Sequence, residues 1–241
     1  MDLHLTGRRA AVAAASSGLG LAAAKALAAE GARVVICGRD RSRLDDAVAE
    51  VGNGCTGVVR DVAGTDGGAA FVADAVEALG GIDILVANAG GPPAGNFERT
   101  PAESYQEALE LNLLSVVGMC KAAVPAMQAQ GWGRVVAITS VTVRQPAPEL
   151  ILSNTARAGV TGMLKTLARE VAQDGVTVNS VQPGLHRTPR LLELYGGEPG
   201  DRRLGEPDDF GAVVAFLCSE QARFVTGAHL QVDGGAYAGL L

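Results

Sequence analysis

The chain has 241 residues, 48 % of them hydrophobic and 19 % charged, which excludes a disordered tail and supplies enough apolar material for one large core. The net charge is −6 and no lysine or arginine cluster offsets it, so the electrostatic footprint of a nucleic-acid binder is missing. No unbroken apolar run reaches the roughly 18–20 residues of a membrane span and the first residues carry no signal-peptide core, so a cytoplasmic protein away from membranes is expected.

In chain order, β-branched or apolar runs at 9–13, 33–37, 57–60, 82–87, 134–139, 176–181 and 229–232 read as strands. Between them, 19–30, 43–51, 68–79, 102–130, 150–173 and 208–219 carry helical periodicity. Strand and helix in alternation predict right-handed crossovers and one doubly wound α/β domain, a seven-stranded parallel sheet with helices on both faces. The strands lack polar alternation, as strands buried on both faces do. Cys37, Cys55, Cys120 and Cys218 form no Cys-x-x-Cys pair. No metal site is therefore expected, and a reducing compartment is. The stretch from Pro183 to Pro207 is rich in glycine, proline and charge, and residues 184–207 read as a flap over a site.

The first strand runs through Ala13-Ala14-Ala15-Ser16-Ser17-Gly18-Leu19-Gly20 into a helix. A glycine-bearing turn in that place lets backbone amides and the helix dipole face a pyrophosphate, so a dinucleotide site is expected there. Close packing of helix on strand would explain the same glycines. At the end of the second strand, Gly38 and Arg39 suit the 2′-phosphate of NADP better than the ribose hydroxyls of NAD, although NAD remains possible; Asp40 reads as a helix cap.

These and later motifs resemble the short-chain dehydrogenase/reductase family over about residues 5–237, most nearly its 3-oxoacyl-carrier-protein-reductase-like members. Asp61-Val62 falls where that family contacts adenine, and Asn88-Ala89-Gly90 resembles the segment lining its cofactor. Asn112 matches the asparagine that organises active-site water, and Ser140 the serine that orients the substrate carbonyl. Pro183-Gly184 followed by Thr188 resembles the segment bracketing the nicotinamide, and Val232-Asp233-Gly234-Gly235 the one that closes the fold. The resemblance implies a Rossmann-type domain, a nicotinamide cofactor, a small carbonyl or alcohol substrate, and a homo-oligomer, a tetramer or dimer built on the helices at 102–130 and 150–173.

Two departures set this chain apart. Where the family has Tyr-x-x-x-Lys, this sequence has Ser153-Asn154-Thr155-Ala156-Arg157. The flanks fix the register: Gly162, Leu167-Ala168, Glu170, Val178-Asn179 and Pro183-Gly184 stay in step. In the resemblance the tyrosine protonates the carbonyl oxygen, and a serine hydroxyl is a far weaker acid than a phenol of pKa ~10. Losing a positioned general acid costs roughly 10²–10⁴ in rate. Ser153 and Arg157, four residues apart, share a helix face and can address one ligand, with Arg157 on the ribose. The guanidinium stays charged and cannot shuttle protons. The second departure is Ala13-Ala14 in place of the family's Thr-Gly: if position 14 needs positive φ, alanine costs on the order of 1 kcal/mol there.

Other side chains carry weaker expectations. His186 and Tyr195 lie in the flap within reach of a closed site, but filling an apolar position and packing on a short helix explain them as well. Arg144 and Gln145 fall where the substrate pocket begins, and with Arg157 they would make it cationic, which suits an anionic or thioester-linked carbonyl compound. A solvated loop explains Arg144 equally. Asn154, Trp132 and Tyr105 read as packing residues. Two functional readings stay open: an NADP-dependent oxidoreductase that retains Asn112 and Ser140, and a dinucleotide-binding module without turnover, acting as a sensor or oligomer partner. A third is chemistry in which a cationic pocket stabilises an oxyanion and no carbonyl is protonated.

Overall fold

The computed structural model describes residues 2–200 and 202–240. Seven strands form one parallel sheet: β1 (Arg9–Val12), β2 (Arg33–Gly38), β3 (Thr56–Val59), β4 (Ile84–Ala87), β5 (Gly133–Ile138), β6 (Val176–Pro183) and β7 (His229–Val232), in the order β3-β2-β1-β4-β5-β6-β7. The helices are α1 (Gly18–Ala29), α2 (Arg41–Val51), α3 (Gly64–Leu79), α4 (Glu103–Leu109), α5 (Ser115–Ala129), α6 (Ile151–Val171), α7 (Pro189–Tyr195) and α8 (Pro207–Cys218).

Alternate strand residues serve two cores. Ala11, Val35, Leu85, Val135 and Val178 meet Phe71 and Ala75 of α3, Met119 of α5 and Leu164 of α6 on one face. Ala10, Val34, Ile84, Val136 and Val181 meet Leu27 of α1, Leu44 of α2 and Phe210 and Val214 of α8 on the other. This is the doubly wound arrangement expected of strands buried on both sides. Strand order reverses between β1 and β4, and the crevice beyond the carboxyl ends of those two strands is where such folds hold ligands.

The departures from the predicted elements have physical causes. β3 begins one residue early, at Thr56. β4 starts at Ile84 because Asp83 turns its carboxylate onto Arg9, at 2.8 Å from Nε and 2.7 Å from Nη2. The single helix expected over 102–130 is broken by a π turn, Glu110–Leu114, between α4 and α5. By length and mean hydropathy the whole span Glu103–Ala129 could cross a membrane, yet half of its most apolar window is buried in the protein. Within the flap, α7 forms because Pro189 opens it and Thr188 Oγ1 accepts the Leu191 amide at 3.2 Å. Asp40 caps α2 as expected, accepting the Arg43 amide at 2.9 Å, so that helix starts two residues earlier than its apolar pattern suggests.

Candidate functional site: the crevice at the strand carboxyl ends

The turn after β1 is held by its neighbours on both sides. The Ala14 amide lies 3.3 Å from Cys37 Sγ of β2, and Asn88 Nδ2 donates to the Ala13 and Ala14 carbonyls at 3.2 and 3.1 Å. Ala14 takes φ +47°, the left-handed conformation that alanine adopts only against a steric cost. Gly20 has no room for a side chain: a Cβ there would sit 2.8 Å from Asn88 Nδ2 and 2.9 Å from the Ala14 carbonyl. Gly18 takes φ +60°, and Thr188 at the base of the flap packs over it, 3.6 Å from where a Cβ would be. The start of α1 carries no side-chain cap from Ser17 and no acidic residue in its first turn. Its first amides, near Ser17, Gly18, Leu19 and Gly20, therefore have no intrahelical partner and a positive dipole end behind them. Ser16 lies against Gly38, which admits it only because residue 38 lacks a Cβ.

Along the same edge, Arg39, Val59, Arg60, Asp61, Asp66, Gly67 and Ala70 line an open cleft beyond β2 and β3. Arg39 is 77 % exposed and its Nη1 stands 3.9 Å from Asp61 Oδ2, a loose pair that leaves the guanidinium available. Asp61 also accepts the Ala63 amide at 3.0 Å, and Val62 and Ala89 are buried.

At the other end of the crevice the π turn sets Asn112, 2 % exposed, facing the loop after β4. Its Nδ2 donates to the Gly90 carbonyl at 2.7 Å, while its buried Oδ1 has no partner among the described residues. A buried amide oxygen left unpaired is a place for a water or ligand donor. Ser140 Oγ, just past β5, accepts from the Thr142 amide at 3.1 Å and from Thr142 Oγ1 at 3.0 Å, which leaves its own proton free to donate. On α6, Arg157 Nε donates to Ser153 Oγ at 3.2 Å, and Arg157 Nη1 donates to the Ile138 carbonyl at 2.8 Å. Burial, with a smaller contribution from nearby Arg190, pushes the Arg157 guanidinium down to about 10, so it remains a cation at neutral pH. Pro183 ends β6, and Gly184 passes against Asp233, whose Cβ would be 2.7 Å from a side chain at 184.

The residue that sequence reasoning missed is Arg190. It lies at the start of α7, donates Nη2 to the Pro92 carbonyl at 2.6 Å and pairs with Glu193 at 3.1 Å, so it bridges the flap to the loop after β4. No motif marks it; only the position of α7 does. His186 is buried edge-on to Phe210, ring centres 5.4 Å apart, and burial lowers its pKa. Tyr195 is half-exposed beside Arg202, Asn154 ties Nδ2 to the Ala147 carbonyl at 2.9 Å, and Trp132 lies between Arg8 and Arg134 at the opposite end of the sheet. Tyr105 sits half-buried on α4. Arg144 stands 5.9 Å over the Tyr237 ring, and Gln145 Oε1 accepts the Ala238 amide at 3.5 Å, so both engage the C-terminal segment.

The uncapped helix start, the side-chain-free contacts at Gly18, Gly20 and Gly38 and the exposed arginine beyond β2 fit a dinucleotide in the crevice. The comparisons agree. Residues 13–237 match the family model described as enoyl-(acyl carrier protein) reductase. The chain belongs to the short-chain dehydrogenase/reductase family. It is 36 % identical to human dehydrogenase/reductase SDR family member 4, over 96 % of this chain and 88 % of that one. It is 33 % identical to the 3-oxoacyl-(acyl-carrier-protein) reductase FabG of Vibrio cholerae, over 98 % and 99 %. The L-sorbose reductase of Gluconobacter frateurii, solved with NADPH and L-sorbose, superposes with a TM-score of 0.92 at 32 % identity, covering 100 % of both chains. On α6 of this family member, the Ser153 hydroxyl and the Arg157 guanidinium are bonded to each other, and the guanidinium reaches the end of β5.

Proposed function

We propose that the protein is an NADP-preferring oxidoreductase that reduces a small ketone, aldehyde or 3-oxoacyl compound, with Ser153 and Arg157 acting as a hydroxyl–guanidinium pair. The turn at Ala14, Ser16, Ser17, Gly18, Leu19 and Gly20 holds the pyrophosphate, Arg39 the 2′-phosphate, Asp61 and Val62 the adenine, and Asn88, Ala89, Gly90, Pro183, Gly184 and Thr188 the nicotinamide half. When bound, NADPH supplies the hydride.

The observation that carries the reading is the bond from Arg157 Nε to Ser153 Oγ. A serine that accepts from a cation is polarised, and its own proton is left to point at a substrate oxygen. Ser140, already accepting twice from Thr142, gives that oxygen a second donor. As negative charge grows on the oxygen, Ser153 passes its proton across and is reprotonated from solvent, while Arg157 stabilises the transient alkoxide. Without a phenol the step is slower by roughly 10²–10⁴, and turnover is modest. Residues 184–207 serve as the substrate flap, hinged beside Gly184 and Thr188. The curated relatives named as reductases support a carbonyl substrate.

Calorimetric titration with NADPH and NADH tests the cofactor assignment, and NADPH oxidation across a panel of ketones and aldehydes tests the reaction. Tighter binding of NADPH than of NADH, with at least one carbonyl compound reduced, is expected. Failure of a folded sample to bind either nucleotide overturns the reading. A second reading, a nucleotide-binding module without turnover, is favoured by one observation: Arg157 Nη1 is spent on the Ile138 carbonyl. It prevails if NADPH binds and no carbonyl compound is reduced.

A further inference from the structure

The first residues of the flap touch both walls of the crevice. On the β1 side, Thr188 packs over Gly18, its Cγ2 3.6 Å from where a Cβ at residue 18 would stand. On the β4 side, Arg190 reaches the loop that follows the strand. Its Nη2 donates to the Pro92 carbonyl at 2.6 Å, and its Nε stands 2.9 Å from where a Cβ at Gly91 would be. Two residues of chain span at most about 7 Å, so Thr188-Pro189-Arg190 is a short strap that rests on Gly18 at one end and on Gly91 and Pro92 at the other. The same two walls are tied together by Asn88, whose Nδ2 donates to the Ala13 and Ala14 carbonyls.

The strap carries a cation whose bonding is incomplete. Arg190 Nη1 pairs with Glu193 at 3.1 Å, but that carboxylate stands on the same helix with its side chain 71 % exposed, so the pair is weak. Nε and one proton on each terminal nitrogen have no acceptor among the described residues. A clip that only fastened α7 to Pro92 would need one neutral donor. The reading above lays the adenine half of a dinucleotide at Asp61 and Val62 and the nicotinamide half at Asn88, Ala89, Gly90, Pro183 and Gly184. The charged pyrophosphate joins the two halves at the β1–β4 switch point, where Gly18 and Thr188 meet. Residues 13–20 offer it backbone amides and two serine hydroxyls but no lysine or arginine. A guanidinium fork matches a pair of phosphate oxygens and neutralises their charge. We propose that Arg190 is the cation that closes over the pyrophosphate, which makes the start of the flap part of the cofactor site. The assignment rests on the dinucleotide reading of the crevice. A phosphate under the strap supplies the acceptors that Arg190 lacks.

The test reads binding at two salt concentrations. NADPH and 2′-phospho-ADP-ribose, which keeps the pyrophosphate and lacks the nicotinamide, are titrated calorimetrically into the native protein, Arg190→Gln and Arg190→Lys. At about 50 mM NaCl, Arg190→Gln is expected to raise the Kd for both ligands about tenfold or more, and Arg190→Lys, which keeps the charge, to recover part of the loss. At about 500 mM NaCl, where charges are screened, the gap between Arg190→Gln and the native protein should shrink to about threefold or less. Thermal melting of each variant checks that it folds. A Kd for 2′-phospho-ADP-ribose unchanged in Arg190→Gln, or raised by the same factor at both salt concentrations, overturns the assignment. So does an Arg190→Lys as weak as Arg190→Gln. In each of those cases Arg190 only fastens α7 to Pro92, and the cofactor reading stands. If the native protein binds neither ligand, the cofactor reading itself fails and the assignment falls with it.

Discussion

Arg157 Nε donates to Ser153 Oγ at 3.2 Å, one helical turn apart on α6, and the same guanidinium reaches the Ile138 carbonyl at 2.8 Å. The pair is an internally bonded unit: the cation orients the hydroxyl, and the strand end orients the cation. That arrangement leaves Ser153 one proton to give and one acceptor lone pair still open.

Removing the hydroxyl separates orientation from protonation. Ser153→Ala is expected to lower kcat by about 10²-fold or more while leaving the Kd for NADPH within a few-fold, the signature of a group that acts on the reacting oxygen. The double variant Ser153→Tyr with Arg157→Lys tests whether the pair is a weakened acid or a dedicated one. A rise in turnover on a simple ketone marks a reductase limited by its acid. Unchanged or lower turnover marks chemistry tuned to the hydroxyl–guanidinium pair. Steady-state kinetics with NADPH distinguishes the two.

The pH dependence follows from the same guanidinium. Burial pulls it well below the ordinary guanidinium value, to about 10, so it is protonated through the neutral range and loses its proton as pH rises through about 10. The reduction rate is expected to be flat near neutrality and to fall on the alkaline side with an apparent pKa near 10. In Arg157→Lys the limb moves to lower pH, because an ammonium in the same place starts from a lower value and suffers the same desolvation. An alkaline limb that ignores this substitution assigns the titration to another group. Because the folded-state pKa of this cation is depressed, its burial destabilises the protein at neutral pH, and that cost fades as pH climbs through about 10 toward the higher value of the unfolded chain.

Ala14 stores strain at the phosphate turn. Its φ of +47° is held by the Cys37 thiol behind it and by Asn88 across it. Ala14→Gly is expected to relieve about 1 kcal/mol of left-handed strain, partly offset by the greater freedom of glycine in the unfolded chain. It also opens the approach to the first amides of α1. Thermal melting should show a small rise or no loss, and calorimetry a severalfold tighter Kd for NADPH. Looser binding in Ala14→Gly would show that the methyl group is a contact.

The candidate site residues are singled out in the sequence by the family resemblance, and the structure sets several of them at strand ends. Asn88, Ser140 and Pro183-Gly184 all lie within two residues of the end of a strand, and the alternation of strand and helix places them along one edge of the sheet. The strain at Ala14 is expected only through the resemblance, in which a glycine stands at that position, and its φ of +47° meets the condition. The π turn at Asn112 left no trace, since one extra residue in a helical turn changes no apolar spacing that a periodic pattern can register. Arg190 was equally invisible. Its role depends on α7 folding back over Gly91 and Pro92, a contact between residues about a hundred positions apart. Arg144 is open in the sequence between the pocket and a solvated loop, and neither reading foresees its place 5.9 Å over the Tyr237 ring of the C-terminal segment.

Asn88 joins the fold to the cofactor turn. Its Nδ2 serves the Ala13 and Ala14 carbonyls together, and Gly20 of α1 closes on the same amide. Asn88→Ala strips a donor from two partly buried carbonyls and leaves a gap between β4 and α1, at a cost of about 1–3 kcal/mol. For a domain of this size each kcal/mol lowers Tm by roughly 2–4 °C, so a drop of about 2–12 °C is expected. NADPH affinity should fall with it, because the turn that presents the α1 amides is no longer pinned. Melting with and without saturating NADPH separates the two effects. If the variant melts lower but gains the same Tm increment from NADPH as the native protein, Asn88 supports the fold alone and the turn keeps its shape without it.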